Sequence, residues 1–287
     1  MDSPPIVFTT DFGLADPYVG IMKGVVLSIN PGAALIDLTH QVSPQNVRQA
    51  AFVLGYSAPF FPPGSVHVVV VDPKVGTPRR ALLLVSPRAR FVAPDNGVLS
   101  YVVRDYLDSP PQQAGRVRIP QGLTAYSLTN SEYWLHPVSH TFHGRDIFAP
   151  VAAHLSLGIP PESLGEQVGD MGWFPAPQPV VAANTILGEV VYIDIFGNLV
   201  SNIPAQALAE GYTAQVKIKG RLIPGLSRTF HDPSHQPAGG LLALIGSHGH
   251  LEIAVRDGSA ARSLGANVGE GLEVTFPPAP PLYPPLA

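Results

Sequence analysis

Acidic side chains stand at the carboxyl ends of three apolar, β-branched runs. Asp11 follows IVFTT, Asp72 closes VHVVVVD and Asp194 closes VVYID. Ligands of open α/β sheets bind beyond the carboxyl ends of the strands, and a carboxylate there can accept two hydrogen bonds from a diol or face an ammonium group. Asp also caps helices and forms Asx turns. Three acids in like positions indicate a ligand site, and a structural role stays open for each.

Two arginines follow Asp72 across a loop that contains glycine and proline, DPKVGTPRR. Arg79 or Arg80 could return to Asp72 and form an ion pair, which would favour the charged form of the carboxylate. The alternative is an ordinary loop with a surface arginine.

A histidine-rich segment, LHPVSHTFHGRDIF, contains His136, His140, His143 and Asp146. Histidine is the commonest metal ligand. However, the segment lacks the H-E-x-x-H pattern, and Pro137 argues against one helix that carries both His136 and His140. We therefore predict no metal site. His143, directly before a predicted helix, is the strongest candidate for a role without a metal.

Several common catalytic motifs are missing from the sequence. The chain contains no P-loop, no G-x-G-x-x-G phosphate loop and no G-x-S-x-G nucleophile elbow. An α/β protein with acids at its strand ends but no phosphate cradle indicates a ligand with hydroxyl and amine groups.

Composition excludes further classes. The chain has 287 residues, no cysteine, a net charge of −4 and only 13% charged residues, about half of the ~25% that is typical. Disulfides, thiolate zinc sites and a cysteine nucleophile are therefore excluded, and a nucleic-acid partner is not expected without a basic face. No apolar run approaches the ~20 residues that span a bilayer, and the N-terminus has no secretory pattern. We expect a cytoplasmic protein without a membrane partner.

Strand-like and helix-like segments alternate in the first part of the chain, which predicts an α/β domain with a central, mostly parallel sheet. Apolar patterns predict a strand at 6–10, a helix at 16–30, a strand at 66–72 and strand structure through 90–103. Beyond residue 184 short strand-like runs follow one another with turns between them, which predicts a smaller all-β, barrel-like domain. The predicted organisation is an N-terminal domain at 1–174, a linker at 175–184 and a C-terminal domain at 185–287 that ends in a proline-rich tail.

Six stretches, in order along the chain, resemble one enzyme family: TTDFGLADPYVGIMKG, VVVVDPKVGTPRR, FVAPDNGVLS, TFHGRDIFAPVAAHL, IDIFGNLVSNI and GSHGHLEIAV. They are similar to the S-adenosyl-L-methionine (SAM) hydrolases that form adenosine, also called SAM hydroxide adenosyltransferases, which are relatives of the fluorinase and chlorinase. The resemblance implies hydrolysis of SAM to adenosine and methionine without a metal or cofactor. It also implies a homotrimer in which each site lies between the N-terminal domain of one subunit and the C-terminal domain of its neighbour.

The resemblance also implies roles for individual residues. Those expected to bind substrate are Asp11 at the ribose diol, Asp16 on the methionine side, Asp194 at the methionine ammonium, Asn198 at adenine, Ser247 near the methionine carboxylate, and the backbone around Val255 and Asp257 at the adenine edge. Asp72, Arg79 and His143 match the residues that handle water. The pairing of Asp72 with Arg79 makes its carboxylate a poor proton acceptor, so we expect this pair to orient the water and His143 to accept the proton.

Some positions depart from the family or leave alternatives open. Lys74 replaces a usual glycine, and His248 stands where the fluorinase has an arginine near the methionine carboxylate. Asp72 replaces an aromatic residue of the halogenases, whereas Gly144 is shared with the chlorinase and does not discriminate. The alternatives are a chlorinase-like halogenase, a sensor that binds SAM or adenosine without turnover, and a metal-dependent hydrolase that uses the histidines.

Overall fold

The chain divides into two compact units, Met1–Ala176 and Pro177–Ala287. The structure, a computed structural model, describes residues 3–208, 214–231 and 240–276. The predicted proline-rich tail at 277–287 lies outside these residues. The domain limits inferred from the sequence, including a linker at 175–184, stay a prediction.

A seven-stranded mixed sheet forms the centre of the first unit. Its strands, in chain order, are β1 (Ile6–Thr10), β2 (Leu35–Thr39), β3 (Ser65–Val70), β4 (Ala81–Val85), β5 (Ala89–Pro94), β7 (Thr124–Ser127) and β8 (Glu166–Val168), while β6 (Gly115–Arg118) and β9 (Asp170–Trp173) pair separately. The spatial order is β2-β1-β3-β5-β4-β7-β8. The first four strands of this order are parallel, and the remaining pairs are antiparallel.

Both faces of this sheet are buried, which explains the continuous β-branched run of β3. Val66 and Val68 pack in a core with α1 (Tyr18–Ile29) and α4 (Ala149–Ser156). Val69 faces the opposite core, to which α2 (Val47–Ser57) and α3 (Ser100–Arg104) contribute. The carboxyl ends of β1 and β3 therefore project from a rigid, two-sided core.

The prediction of strand structure through 90–103 was wrong in its second half, because β5 ends at Pro94 and α3 follows. Asn96 stops the strand. Its side-chain oxygen accepts a hydrogen bond from the Val98 nitrogen at 3.1 Å, its amide donates to the Val71 carbonyl at 2.9 Å, and Gly97 adopts a φ of 92°. This Asx turn overrides the strand preference of the apolar residues that follow it.

An antiparallel sheet makes up most of the second unit. Its strands are β10 (Val180–Ala182), β11 (Thr185–Ile193), β12 (Leu199–Pro204), β13 (Gln215–Ile218), β14 (Arg221–Pro224), β15 (Leu241–Ile245), β16 (His250–Val255) and β17 (Gly271–Thr275), with one short helix, α5 (Ala260–Leu264). The order runs from β14 through β13, β17, β11, β12 and β16 to β15. A bridge between Ser227 and Leu244 brings the two ends of this order together, so the sheet is nearly closed. The predicted fold class, an α/β domain followed by a barrel-like β domain, is confirmed.

Within the three ranges that the structure describes, no helix is long and apolar enough to cross a membrane.

Candidate active site

A buried ion pair lies just beyond the carboxyl end of β3. Arg79 directs both its Nε, at 2.8 Å, and its Nη2 to the same oxygen of Asp72, Oδ2. The two side chains are only 7% and 5% exposed. The other oxygen, Oδ1, is buried and has no hydrogen-bond partner. The pair therefore presents one unused, charged acceptor inside the protein.

His143 completes this group through the same guanidinium. Arg79 Nη2 lies 2.9 Å from His143 Nδ1, and because arginine only donates, Nδ1 must be the acceptor. A neutral imidazole in this contact carries its proton on Nε2. Burial and then the charge of Arg79 lower the pKa of His143, although Asp72 and Asp146 oppose the shift. The neutral ring is thus favoured.

The loop that carries His143 is held by a buried carboxylate and a widened helical turn. Asp146 accepts hydrogen bonds from the Ser139 nitrogen at 2.8 Å and from Arg145 Nε at 2.5 Å. Residues Gly144–Phe148 form a π-helical turn that leads into α4, a feature that is frequent at functional sites. Phe148 in this turn lies 5.3 Å below the Arg79 guanidinium. The turn therefore holds His143 and Phe148 next to the Arg79 guanidinium.

The remaining candidates of this region have other roles. His136 Nε2 bonds to the Ser131 carbonyl at 2.9 Å, and His140 is exposed. Arg80 pairs with Asp95 at 2.8 Å and with Asp170 at 2.9 Å, so it links strands rather than approaching Asp72. No group of three or more His, Cys, Asp or Glu side chains in the described part of the chain is arranged to hold a metal ion.

Asp11 lies at the carboxyl end of β1, the strand next to β3. Its Oδ2 accepts a hydrogen bond from the Gln45 nitrogen at 2.7 Å, and its side chain is half-buried. Asp16 is exposed, shortly before α1. The neighbouring strands thus carry Asp11 and Asp72 at the same edge of the sheet, as parallel pairing requires.

Three aromatic rings connect the loops after β1 and before α4, and the sequence did not predict this cluster. Phe12 lies 5.6 Å from Tyr18 and 5.9 Å from Phe142, and the latter two are 5.3 Å apart. Tilted and edge-to-face rings at these distances attract one another. Phe12 directly follows Asp11, and Phe142 directly precedes His143. The cluster therefore links the loop that carries Asp11 to the loop that carries His143.

The second unit contains a cleft of about 950 Å³. Its lining includes all five residues predicted in this unit to bind substrate: Asp194, Asn198, Ser247, Val255 and Asp257. They come from the ends of β11, β12, β15 and β16 and from the turns that follow. The structure therefore gathers residues that are up to 63 positions apart, from 194 to 257.

Asp194 has a structural role in this cleft. Its Oδ1 accepts hydrogen bonds from the nitrogens of Phe196 at 3.0 Å and Asn198 at 2.8 Å, and its Oδ2 accepts one from Asn198 Nδ2 at 2.9 Å. Asp194 thus forms an Asx turn, and its carboxylate also fixes the side-chain amide of Asn198. Phe196, at the tip of the turn, remains 72% exposed.

Glu252 and His248 line the same cleft, and the sequence indicated no role for Glu252. Glu252 is 4% exposed, and burial, then the charge of Asp194, raises its pKa to about 7. Burial lowers the pKa of His248, against the influence of Asp194. In the alternating pattern of β16, Glu252 falls on the face opposite Leu251 and Ile253, where an exposed acid would be ordinary. Only its cross-strand neighbours reveal that it is buried.

Comparison with known proteins assigns the chain to a family. The SAM hydroxide adenosyltransferase N-terminal domain matches residues 6–165, and the corresponding C-terminal domain matches residues 188–273. The chain belongs to the SAM hydroxide adenosyltransferase family. The resemblance seen in the six sequence motifs is confirmed.

Named relatives agree with this assignment, and a solved structure shares the fold. The chain is 40% identical to an (R)-S-adenosyl-L-methionine hydrolase of Thermus thermophilus, over 92% of this chain and 97% of that protein. It is also 40% identical to one of Salinispora arenicola, over 95% and 98%. The crystal structure of an uncharacterized conserved protein from Thermotoga maritima superposes with a TM-score of 0.84 at 38% identity, covering 94% of this chain and all of that one. A fluorinase of Nocardia brasiliensis is more distant, at 27% identity over 94% of this chain and 96% of that protein.

Glu252 should titrate near neutrality. We expect one glutamate carboxyl carbon to change its chemical shift with a midpoint near pH 7, because the buried acid stays protonated below this pH and ionises only above it. Carbon-13 NMR of protein labelled at the glutamate carboxyls would show this resonance, and Glu252→Gln should remove it. Glu273→Gln, on β17, serves as the control and should leave it in place. A resonance that persists in Glu252→Gln would contradict the assignment.

Proposed function

We propose that the protein hydrolyses S-adenosyl-L-methionine by attack of water at ribose C5′, releasing adenosine and L-methionine. The observation that carries this proposal is the free, buried Oδ1 of Asp72, which is held by Arg79 and adjoined by His143. Such an acceptor suits a small donor such as water. The similarity to curated SAM hydrolases at 40% identity supports the choice of substrate.

The binding roles inferred for the other residues belong to this proposal. In the first unit, Asp11 binds the ribose diol and Asp16 lies toward the methionine. In the second unit, Asp194 faces the methionine ammonium and Asn198 reads adenine, while Ser247 meets the methionine carboxylate and the backbone at Val255 and Asp257 meets the adenine edge. The fixed Asn198 amide and the common cleft support these assignments. SAM is the substrate, and the proposed reaction uses no metal or cofactor.

The proposed reaction requires little from the protein beyond orientation of the attacking water. The water oxygen forms a bond to C5′ while the bond from C5′ to the sulfonium sulfur breaks, and the electron pair of that bond neutralises sulfur as the thioether of methionine. Because sulfonium is already a good leaving group, no acid is needed at sulfur. Positioning a nucleophile can contribute ~7–11 kcal/mol in well-oriented systems. Asp72 and Arg79 supply that positioning.

We propose a different proton acceptor from His143, the residue expected from the sequence, and the hydrogen-bond pattern supports this change. With Nδ1 occupied by Arg79 and Nε2 protonated, neutral His143 can donate to water but has no free lone pair. Asp72 Oδ1 is the unused acceptor of the three side chains. The water that has bonded to carbon is a very strong acid, so even a carboxylate of low basicity can take its proton. We therefore propose Asp72 as the proton acceptor and His143 as a donor that orients the water.

Two other functions remain as outcomes of experiment. A halogenase would need a halide site, but Asp72 fills the position that is aromatic in halogenases, and a buried carboxylate disfavours an anion beside it. A sensor that binds SAM without turnover would have no use for a buried ion pair with an unused acceptor. Both arguments favour the hydrolase.

Hydrolysis can be tested by incubating the purified protein with SAM in oxygen-18 water, with and without chloride. We expect methionine and adenosine with one labelled oxygen at the 5′ position, independent of chloride, because water attacks carbon. Chromatography with mass detection measures the products. A 5′-chlorinated nucleoside would replace the proposal with a halogenase, and intact SAM bound at stoichiometric occupancy would replace it with a sensor.

The roles of Asp72 and His143 can be separated by substitution. We expect Asp72→Asn to lower kcat by about 100-fold or more, because proton acceptance and water orientation are both lost. His143→Asn should lower kcat by only about tenfold, since an asparagine oxygen can still accept from Arg79. Steady-state turnover of SAM measures both effects, with exposed Asp108→Asn as the control. A His143→Asn variant as inactive as Asp72→Asn would make His143 the proton acceptor.

We further propose that the protein is a cytoplasmic homotrimer whose sites combine the N-terminal residues of one subunit with the C-terminal residues of its neighbour. The separation of the predicted residues into two groups, one on each unit, supports shared sites. Co-expressed Asp72→Asn and Asp194→Ala chains test this arrangement. Random assembly should restore about a quarter of the sites, with a particle mass three times the 30.4 kDa of one chain. Activity no higher than that of the separate variants would contradict shared sites.

A further inference from the structure

A network of hydrogen-bonded polar side chains begins at Thr10, the residue before Asp11, and the proposed reaction does not use it. Thr10 Oγ1 lies 2.8 Å from His40 Nδ1, and His40 Nε2 lies 2.9 Å from Asp37 Oδ1. Asp37 Oδ2 in turn accepts from Lys23 Nζ at 2.6 Å. Thr10 is fully buried and His40 is 4% exposed. The network thus connects the end of β1, the end of β2 and α1.

The direction of each hydrogen bond follows from the chemistry of its ends. The carboxylate of Asp37 only accepts, and the neighbouring ammonium and imidazole lower its pKa against the effect of burial, so His40 Nε2 carries a proton. In a neutral ring Nδ1 then accepts from the Thr10 hydroxyl. The hydroxyl oxygen remains free to accept from the Phe12 nitrogen, at 3.2 Å. All the bonds are satisfied in one consistent arrangement.

The same residues tie together the loops that follow β1 and β2. The Gly13 nitrogen donates to the His40 carbonyl at 2.8 Å, and the Val42 nitrogen donates to the Thr10 carbonyl at 3.4 Å. Asp11 itself accepts from Gln45, which has a φ of 64°. The carboxylate of Asp11 is therefore held between two loops whose separation is set by Thr10 and His40.

We propose that Thr10 and His40 are positioning residues that set the Asp11 carboxylate for the ribose diol of the ligand. This inference rests on the proposed function, because it takes the diol as the group that Asp11 binds. Asp–His–Thr is also the constellation of a nucleophilic triad. However, the burial of Thr10 and its place within β1 exclude attack on a substrate. The hydroxyl acts instead through the backbone on either side of Asp11.

Thr9 and Thr10 provide matched substitutions. Thr10→Val keeps the shape of the side chain and removes the hydroxyl, whereas Thr10→Ser keeps the hydroxyl and removes a methyl group. A positioning hydroxyl predicts that Thr10→Val is impaired and Thr10→Ser is not, while a packing role predicts the reverse. Thr9 is equally buried, but its Oγ1 has no hydrogen-bond partner. Thr9→Val is therefore a control for the loss of a buried hydroxyl.

Hydrogen–deuterium exchange with mass detection tests the network without any ligand. In Thr10→Val we expect exchange of the amides in residues 10–16 and 40–47 to become about tenfold faster, because the opening of both loops becomes easier. Thr9→Val and Thr10→Ser should match the wild-type protein. Unchanged exchange in Thr10→Val would overturn the proposal, whatever the protein binds.

Calorimetric binding of adenosine and 2′,3′-dideoxyadenosine tests the link to the diol. The wild-type protein should prefer adenosine, and Thr10→Val should bind adenosine about tenfold more weakly while its affinity for dideoxyadenosine stays the same. Equal weakening for both nucleosides would overturn the proposal in favour of general disruption. If the wild-type protein itself shows no preference, the proposed role of Asp11 fails, and the positioning role fails with it.

Discussion

The buried ion pair between Asp72 and Arg79 is the interaction on which the rest of the first unit's site depends. Two charges that are almost fully removed from water persist only where each is well partnered. Arg79 satisfies this condition with two donors on one carboxylate oxygen and a third contact to His143. The consequence is an asymmetric carboxylate, in which one oxygen accepts both hydrogen bonds and the other, Oδ1, has no partner. Removing either partner would leave a buried charge without its counterion, which would destabilise the folded protein.

The fold serves this pair by fixing the place where β3 ends. Apolar cores on both faces of the sheet hold β3, and the strand ends at Val70, two residues before Asp72. The loop back to β4 has the length needed to return Arg79 to Asp72 and to send the next residue, Arg80, to Asp95 and Asp170. Adjacent arginines thus have different partners.

Much of this arrangement was predictable from the sequence, and the limits have physical causes. An acid at a strand end with arginines seven and eight residues later left an ion pair and a surface arginine as alternatives, the family resemblance favoured Arg79, and the structure pairs Arg79 with Asp72. The alternation of strands and helices predicted the fold class, although the Asx turn at Asn96 interrupted one expected strand. Glu252 and His40 escaped prediction because their roles depend on partners from other strands and loops. For Asp194, the sequence left a ligand role and a turn role open, and the hydrogen bonds show that the turn role is real.

One glycine lies where the loop that carries the ion pair contacts the loop that carries His143. Gly76 has a φ of 77°, and a Cβ at this position would collide with the carbonyl oxygen of His140. The loop after β3 and the loop before α4 therefore touch backbone to backbone, without side chains that could adjust between them. Neither loop can shift without the other. The spacing between the loop of Asp72 and the loop of His143 is then a property of the resting protein, set before any ligand arrives.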